Sequence, residues 1–234
     1  MDPADDVPTP LEGLESLAAV EVETAPGQRH VEIYTMKGLL TFHRHGPLDA
    51  ENVVLMCGGA MGGVLGPADA MYFELAEFYA AHGIGTVRVG YRRPNDLGEC
   101  LHDLAAAADL CTRSGATRFI TMGHSFGGAV ALNAGMAFRD HCAGVVLLAT
   151  QSAGCEHADQ IGDTPLLLLH GDTDHILPHM ASEMVRMIAG TGELVILPGA
   201  GHLLTEAAVE LRERLSSWVP ERFADHVAAG KPAG

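Results

Sequence analysis

Apolar positions along this chain form two kinds of run, and the two alternate. Short continuous stretches occur at 53–57, 86–89, 119–122, 145–149, 166–170 and 193–197. Apolar residues at helical spacing occupy 69–82, 96–114, 125–138, 179–189 and 205–218. In the first of these the set is Tyr72, Phe73, Leu75, Ala76 and Tyr79. Side chains three and four residues apart share one face of a helix. Earlier, 20–24 and 31–42 read as strands, the second a hairpin bent at Lys37-Gly38. Strands alternating with helices imply βαβ crossovers and a mainly parallel sheet. The runs Val145-Val146-Leu147-Leu148 and Leu166-Leu167-Leu168-Leu169 lack polar alternation. Strands read that way when helices cover both faces of the sheet. The pattern predicts an α/β protein, a three-layer α/β/α sandwich.

Composition fits one such domain. The chain has 234 residues, 47% hydrophobic and 19% charged, with no internal repeat and no interdomain linker. The domain is expected over 13–226, between a disordered acidic, proline-containing tail at 1–12 and a second disordered tail at 227–234. No apolar run reaches the roughly 18 residues of a transmembrane helix. Acidic residues outnumber basic ones by 30 to 14, a formal charge of -16. That field repels phosphate backbones and anionic membranes, which argues against nucleic-acid and membrane partners.

The five cysteines, Cys57, Cys100, Cys111, Cys142 and Cys155, are odd in number and form no CxxC pair. They read as buried free thiols of a reducing compartment. No Cys/His group has the spacing of a zinc site. The N-terminus lacks the basic and apolar regions of a secretory signal. The expectation is a cytoplasmic protein with no metal and no cofactor.

In open α/β sheets, sites form beyond the carboxyl ends of the strands, so chemistry is sought there. After 119–122 comes Gly123-His124-Ser125-Phe126-Gly127-Gly128, a Gly-x-Ser-x-Gly match between a strand and a helix. Such a turn lifts a serine hydroxyl clear of the sheet at a helix N-terminus, where amide N–H groups favour negative charge. After 166–170 comes Gly171-Asp172-Thr173-Asp174. A carboxylate there can orient a histidine, and Asp174 is preferred to Asp172. After 193–197 comes Pro198-Gly199-Ala200-Gly201-His202, whose histidine can act as general base. Each feature also has a plain structural reading. A glycine-rich turn can carry an idle serine, aspartates often cap turns, and the chain has 13 histidines. The order Ser125, Asp174, His202, each after a strand, favours the chemical reading.

After 53–57 comes Gly58-Gly59-Ala60-Met61-Gly62-Gly63. Side-chain-poor backbone can aim an N–H at an oxyanion. The N–H groups of Ala60 and Phe126 are the expected pair, with Gly59 or Met61 as alternatives to Ala60. A phosphate-binding loop is excluded, because no Gly-Lys-Ser/Thr closes this segment and no Gly-x-Gly-x-x-Gly opens a helix.

These residues resemble the α/β-hydrolase superfamily over about 20–218, within it the small cap-less members of the dienelactone-hydrolase-like and serine-aminopeptidase-like group. The resemblance implies an eight-stranded sheet with its second strand antiparallel. It makes Ser125 the nucleophile, Asp174 the acid and His202 the base. Two departures stand out. Cys57-Gly58-Gly59 replaces the His-Gly of many members, and Ser125 stands where dienelactone hydrolases proper carry cysteine. The segment 149–166 is too short for a lid domain, so an open site is expected. Its candidate lining is Met61, Val64, Leu65, Phe126, Leu177 and Leu203, with Gln151 and Ser152 as polar contacts. Arg92 and Arg93 either bind a substrate carboxylate or pair with local acids such as Asp96 and Glu99. The expected reaction is hydrolysis of a small-molecule carboxylic ester or thioester through an acyl-serine, as in a carboxylesterase. A peptidase or amidase with the same residues, and a non-catalytic hydrolase-fold binding protein, are the alternatives.

Overall fold

The computed structural model describes residues 8–230. One sheet of nine strands runs through it: β1 (Ser16–Ala25), β2 (Gln28–Thr35), β3 (Gly38–His45), β4 (Asn52–Cys57), β5 (Gly85–Gly90), β6 (Arg118–His124), β7 (Cys142–Leu148), β8 (Leu166–Gly171) and β9 (Glu193–Leu197). Their order in space is β1-β2-β3-β5-β4-β6-β7-β8-β9. Strands β4 to β9 are mutually parallel, and β3 runs antiparallel to both β2 and β5. Strands β2 to β9 therefore reproduce the eight-stranded arrangement with its second strand reversed. The sheet has nine strands rather than eight because β1 folds back along β2 through a turn at Gly27, whose φ of +72° suits glycine. The bend between β2 and β3 falls at Met36-Lys37, where the Thr35 hydroxyl accepts the Lys37 N–H at 3.1 Å and donates to the Gly38 carbonyl at 2.9 Å.

Helices cover both faces. On one side lie α2 (Leu97–Thr112), α3 (Phe126–Phe138) and α4 (Met180–Ala189), and on the other α1 (Pro67–Ala81) and α5 (Ala208–Ala228). The unbroken apolar strands divide between two cores, as period-2 side chains must. Val145 and Leu147 pack with the α2–α3 side, Val146 and Leu148 with the α1–α5 side. Helix α5 runs ten residues past Trp218, through Pro220. An interior proline costs about 3 kcal/mol. Burying Val219 and Phe223, at 0% and 2% exposure, returns about 1.5–3 kcal/mol each, so packing overrides the local breaker.

Of the tail expected over 1–12, residues 1–7 lie outside the described residues, whereas 8–12 lie against α2. The Leu11 N–H donates to the Asp109 carboxylate at 3.1 Å, and Arg113 donates to Thr9 and Glu12. At the other end, 227 and 228 belong to α5, and 231–234 lie outside the described residues. No described helix is long and apolar enough to cross a membrane.

Candidate active site

Ser125 stands between β6 and α3 with φ 58° and ψ -120°. A non-glycine residue there carries strain of about 1–3 kcal/mol, so the surroundings must enforce it. The Ser125 N–H donates to Leu148 O at 2.8 Å, and the Ser125 carbonyl accepts the Gly128 N–H at 3.0 Å. The two glycines of the motif are required sterically. A Cβ on Gly123 would lie 1.9 Å from Gly127 O, and one on Gly127 would lie 2.3 Å from Gly58 O. Phe126 opens α3, so its N–H has no acceptor within the helix.

The loops after β8 and β9 are fastened to each other. Thr173 N–H donates to Ala200 O at 3.1 Å, and Gly199 N–H donates to the Asp172 carboxylate at 2.7 Å. Asp172 is thus spent on the turn. Asp174 is buried and faces His202. His202 Nδ1 lies 2.6 Å from Asp174 Oδ2, and His202 Nε2 lies 3.0 Å from Ser125 Oγ. The other oxygen of Asp174 accepts the N–H groups of Ile176 and Leu177, both at 2.8 Å. Burial pushes the Asp174 carboxyl up, but the Leu177 N–H, His202 and the Ile176 N–H outweigh it and hold it below its ordinary value. A carboxylate therefore faces Nδ1, which fixes Nδ1 as the protonated nitrogen. Nε2 is left as an acceptor for the serine hydroxyl.

Two further histidines support this group, and the sequence reading gave neither a role. His170 is the penultimate residue of β8 and is fully buried. Its Nε2–H is shared between Leu177 O at 2.9 Å and Asp174 Oδ2 at 3.2 Å, while Nδ1 accepts from the buried Ser182 hydroxyl at 2.7 Å. Burial lowers its pKa, so the ring stays neutral. His124 closes β6 and donates from Nε2 to the backbone carbonyl of His202 at 2.9 Å. Burial brings it down to about 4 despite that bond. The available signal was a histidine at or next to the carboxyl end of a mostly apolar strand. The His202 loop is also held by Ala68 N–H, which donates to Leu203 O at 2.8 Å.

The loop after β4 passes the serine at Gly59, where a Cβ would lie 3.6 Å from Ser125 Cβ. Ala60 and Met61 form the tip of a turn closed by Gly62 N–H donating to Gly59 O at 2.9 Å. Two buried tyrosines anchor its base: Tyr72 donates to Cys57 O at 3.0 Å and Tyr91 to Gly58 O at 3.4 Å. Cys57 itself is a buried space-filler, its thiol pushed up to about 12 by burial.

A cleft of about 480 Å³ opens over Ser125 and His202, lined by the loop 58–66, His124, Ile176 and Leu203. Met61, Val64, Leu65 and Leu203 of the expected lining are there. Leu177, Gln151, Ser152 and Phe126 are not among the residues that form it. Leu177 is turned away because its N–H and carbonyl hold Asp174 and His170, and its neighbour Ile176 takes the place, 70% exposed. Gln151 instead donates to Ala153 O at 2.8 Å. Arg92 does not reach the cleft either. Its side chain is 1% exposed and ion-paired with Glu99 at 2.8 Å and with the buried Asp103. The local-acid reading of Arg92 therefore holds, with Asp103 as the partner the sequence did not suggest.

The Phospholipase/Carboxylesterase family matches residues 103–213, just under half of the chain. No curated protein matches its sequence. Among solved structures, Est1E from Butyrivibrio proteoclasticus is 17% identical, with a TM-score of 0.70 over 83% of this chain and 99% of its own. A dienelactone hydrolase from Anabaena variabilis is 21% identical, with a TM-score of 0.71 over 83% of this chain and 97% of its own. An alpha-beta serine hydrolase homologue from Coxiella burnetii is 18% identical, with a TM-score of 0.61 over 86% and 96%. At these identities the likeness is one of fold.

Proposed function

We propose that this chain, an α/β-hydrolase by fold and by the match of its second half, is a serine hydrolase that cleaves small carboxylic esters or thioesters through an acyl-serine intermediate. One observation carries the reading. His202 bridges Ser125 and Asp174, at 3.0 Å from one nitrogen and 2.6 Å from the other. In the proposed mechanism His202 Nε2 takes the Ser125 proton as Oγ attacks the substrate carbonyl. Asp174 keeps the proton of the ring on Nδ1 and stabilises the imidazolium that forms. The N–H groups of Phe126 and Ala60 receive the oxyanion. His202 then gives its proton to the leaving group, and water, activated by the same ring, hydrolyses the acyl-serine. Est1E from Butyrivibrio proteoclasticus has been solved with ferulic acid bound; a carboxylic acid is the product class of the reaction proposed here. Cys57, Cys100, Cys111 and Cys155 are buried free thiols, which supports a reducing, cytoplasmic location.

The test is intact mass after treatment with a fluorophosphonate. A single adduct on the native protein that is absent from Ser125→Ala is the expected result. Turnover of ester substrates should fall by several orders of magnitude in the same variant. A folded native protein that takes no adduct would remove the proposal.

A further inference from the structure

The two edges of the sheet are finished differently. At one edge β9 has five residues, and Arg214 of α5 holds it through an ion pair with Glu193 at 2.8 Å. At the other edge β1 has ten residues and pairs with β2 alone. From Ser16 to Thr24 every residue of β1 is exposed, and none joins either core. Leu17, Val20 and Val22 are 66%, 45% and 51% exposed. Ordering ten residues costs conformational entropy, and β1 recovers none of it as buried core. Among the described residues no strand pairs with its outer side, which leaves a row of backbone N–H and C=O groups open. Bare edges are ordinarily blunted by lysine, proline, short length or a covering helix. This strand has no lysine and no proline. Its only charges are Glu21 and Glu23, and Arg29 of β2 meets both, at 3.3 and 3.7 Å.

Opposed charges decide what such an edge can pair with. Pairing with β2 is regular from Ala18 to Glu23 and shifts register near both ends. A second copy of β1 brought in by a half-turn about the sheet normal runs antiparallel and keeps its faces. Facing residues are then both odd-numbered or both even-numbered. A twofold axis at Glu21 or Glu23 sets each of those acids against its own copy, and an axis at Val22 sets Glu21 against Glu23. Like charges directly opposite are destabilising. An axis at Ala19 or Ala18 pairs less of the regular stretch. An axis at Val20 places Val20 on Val20, Glu21 on Ala19 and Val22 on Ala18. It opposes no acids and leaves Glu21 to Arg29.

We propose that β1 is a self-association edge: two copies of this chain pair antiparallel along β1 with Val20 on the twofold axis, joining their sheets into one. The open backbone groups are satisfied by the same strand of the partner, and Val20 and Val22 meet apolar side chains across the seam. This proposal is independent of the serine-hydrolase reading.

The experiment is sedimentation velocity across the micromolar range at about 0.15 M salt, where charge repulsion between the copies is screened beyond about 8 Å. The native protein is expected to dimerise. Val20→Lys, which sets two cations on the axis at an exposed position, is expected to be monomeric with a native circular dichroism spectrum. An equimolar mixture of Val20→Lys and Val20→Glu should dimerise again. Cross-linking reads the register. The native cysteines are buried, so an introduced edge thiol is the accessible one. Facing Cα atoms of an antiparallel pair lie about 4.5–5.5 Å apart, within disulfide range. Val20→Cys treated with oxidised glutathione should give a covalent dimer, whereas Val22→Cys, whose copies lie four positions apart, should not. A native protein that stays monomeric throughout would overturn the proposal. So would a dimer that Val20→Lys leaves intact, a charge-swapped mixture that stays monomeric, or cross-linking at Val22 in place of Val20.

Discussion

Acidification should destabilise this protein through His124 in particular. The side chain is 7% exposed, and its pKa lies at about 4 against an ordinary 6.5. Burial is the main cause, and the bond to the His202 carbonyl and the Asp174 carboxylate oppose it. Unfolding returns the group to water, where it binds a proton below about pH 6.5. Between that pH and 4 the unfolded chain therefore holds more protons at this site. Stability is full above the unfolded value and is lost as the pH falls toward the folded one. The loss is about 1.4 kcal/mol per pH unit within this window, or about 2 kcal/mol at pH 5. Urea titration followed by fluorescence of the single tryptophan, buried Trp218, measures it. The variant His124→Gln keeps an N–H donor for the His202 carbonyl and cannot titrate. His43 and His170, also lowered chiefly by burial, respond equally in both proteins and cancel. Native protein should lose about 2 kcal/mol more than His124→Gln between pH 7 and pH 5. Equal losses would refute the reasoning.

Other perturbations follow from the same contacts. Ser182→Ala strips the buried His170 Nδ1 of the hydroxyl that donates to it and frees the ring beside Asp174; kcat should fall about threefold to tenfold with KM unchanged, a scale set by roughly 1 kcal/mol per hydrogen bond, and an unaltered kcat in steady-state assays would deny His170 a positioning role. Gly127→Ala drives a Cβ to 2.3 Å from Gly58 O; thermal denaturation should show a loss of at least about 2 kcal/mol, with slower fluorophosphonate labelling from the displaced loop. Arg92→Ala leaves the fully buried Asp103 unpaired; the expected cost is about 3–5 kcal/mol in urea unfolding, without selective loss on acidic esters, and selective loss would return Arg92 to a substrate role. Met61→Ala, at a side chain 95% exposed, should move stability by less than about 0.5 kcal/mol.

Much of this architecture was written in local pattern. Strand and helix periodicity placed the elements, and the carboxyl ends of three strands held Ser125, Asp174 and His202, because a parallel sheet leaves its loops together at one end. The glycines around Ser125 were legible for the same local reason, since a strand-to-helix turn needs close backbone passage. What the sequence alone left open was settled by contacts between distant segments. Asp174 captures two backbone N–H groups, and that turn brings Ile176 to the cleft and leaves Leu177 out of its lining, reversing the expectation. Asp103, eleven residues away along the chain, comes to Arg92 only when α2 packs on the sheet. Among 13 histidines, His124 and His170 take their roles from the carbonyl, carboxylate and hydroxyl that folding brings to them. Helix α5 passes Pro220 because buried Val219 and Phe223 outweigh a local penalty. Local propensity and period act over a few residues and can be read in order. Burial, ion pairing and the direction of a loop side chain depend on what arrives from elsewhere in the chain, and only the packed structure supplies that.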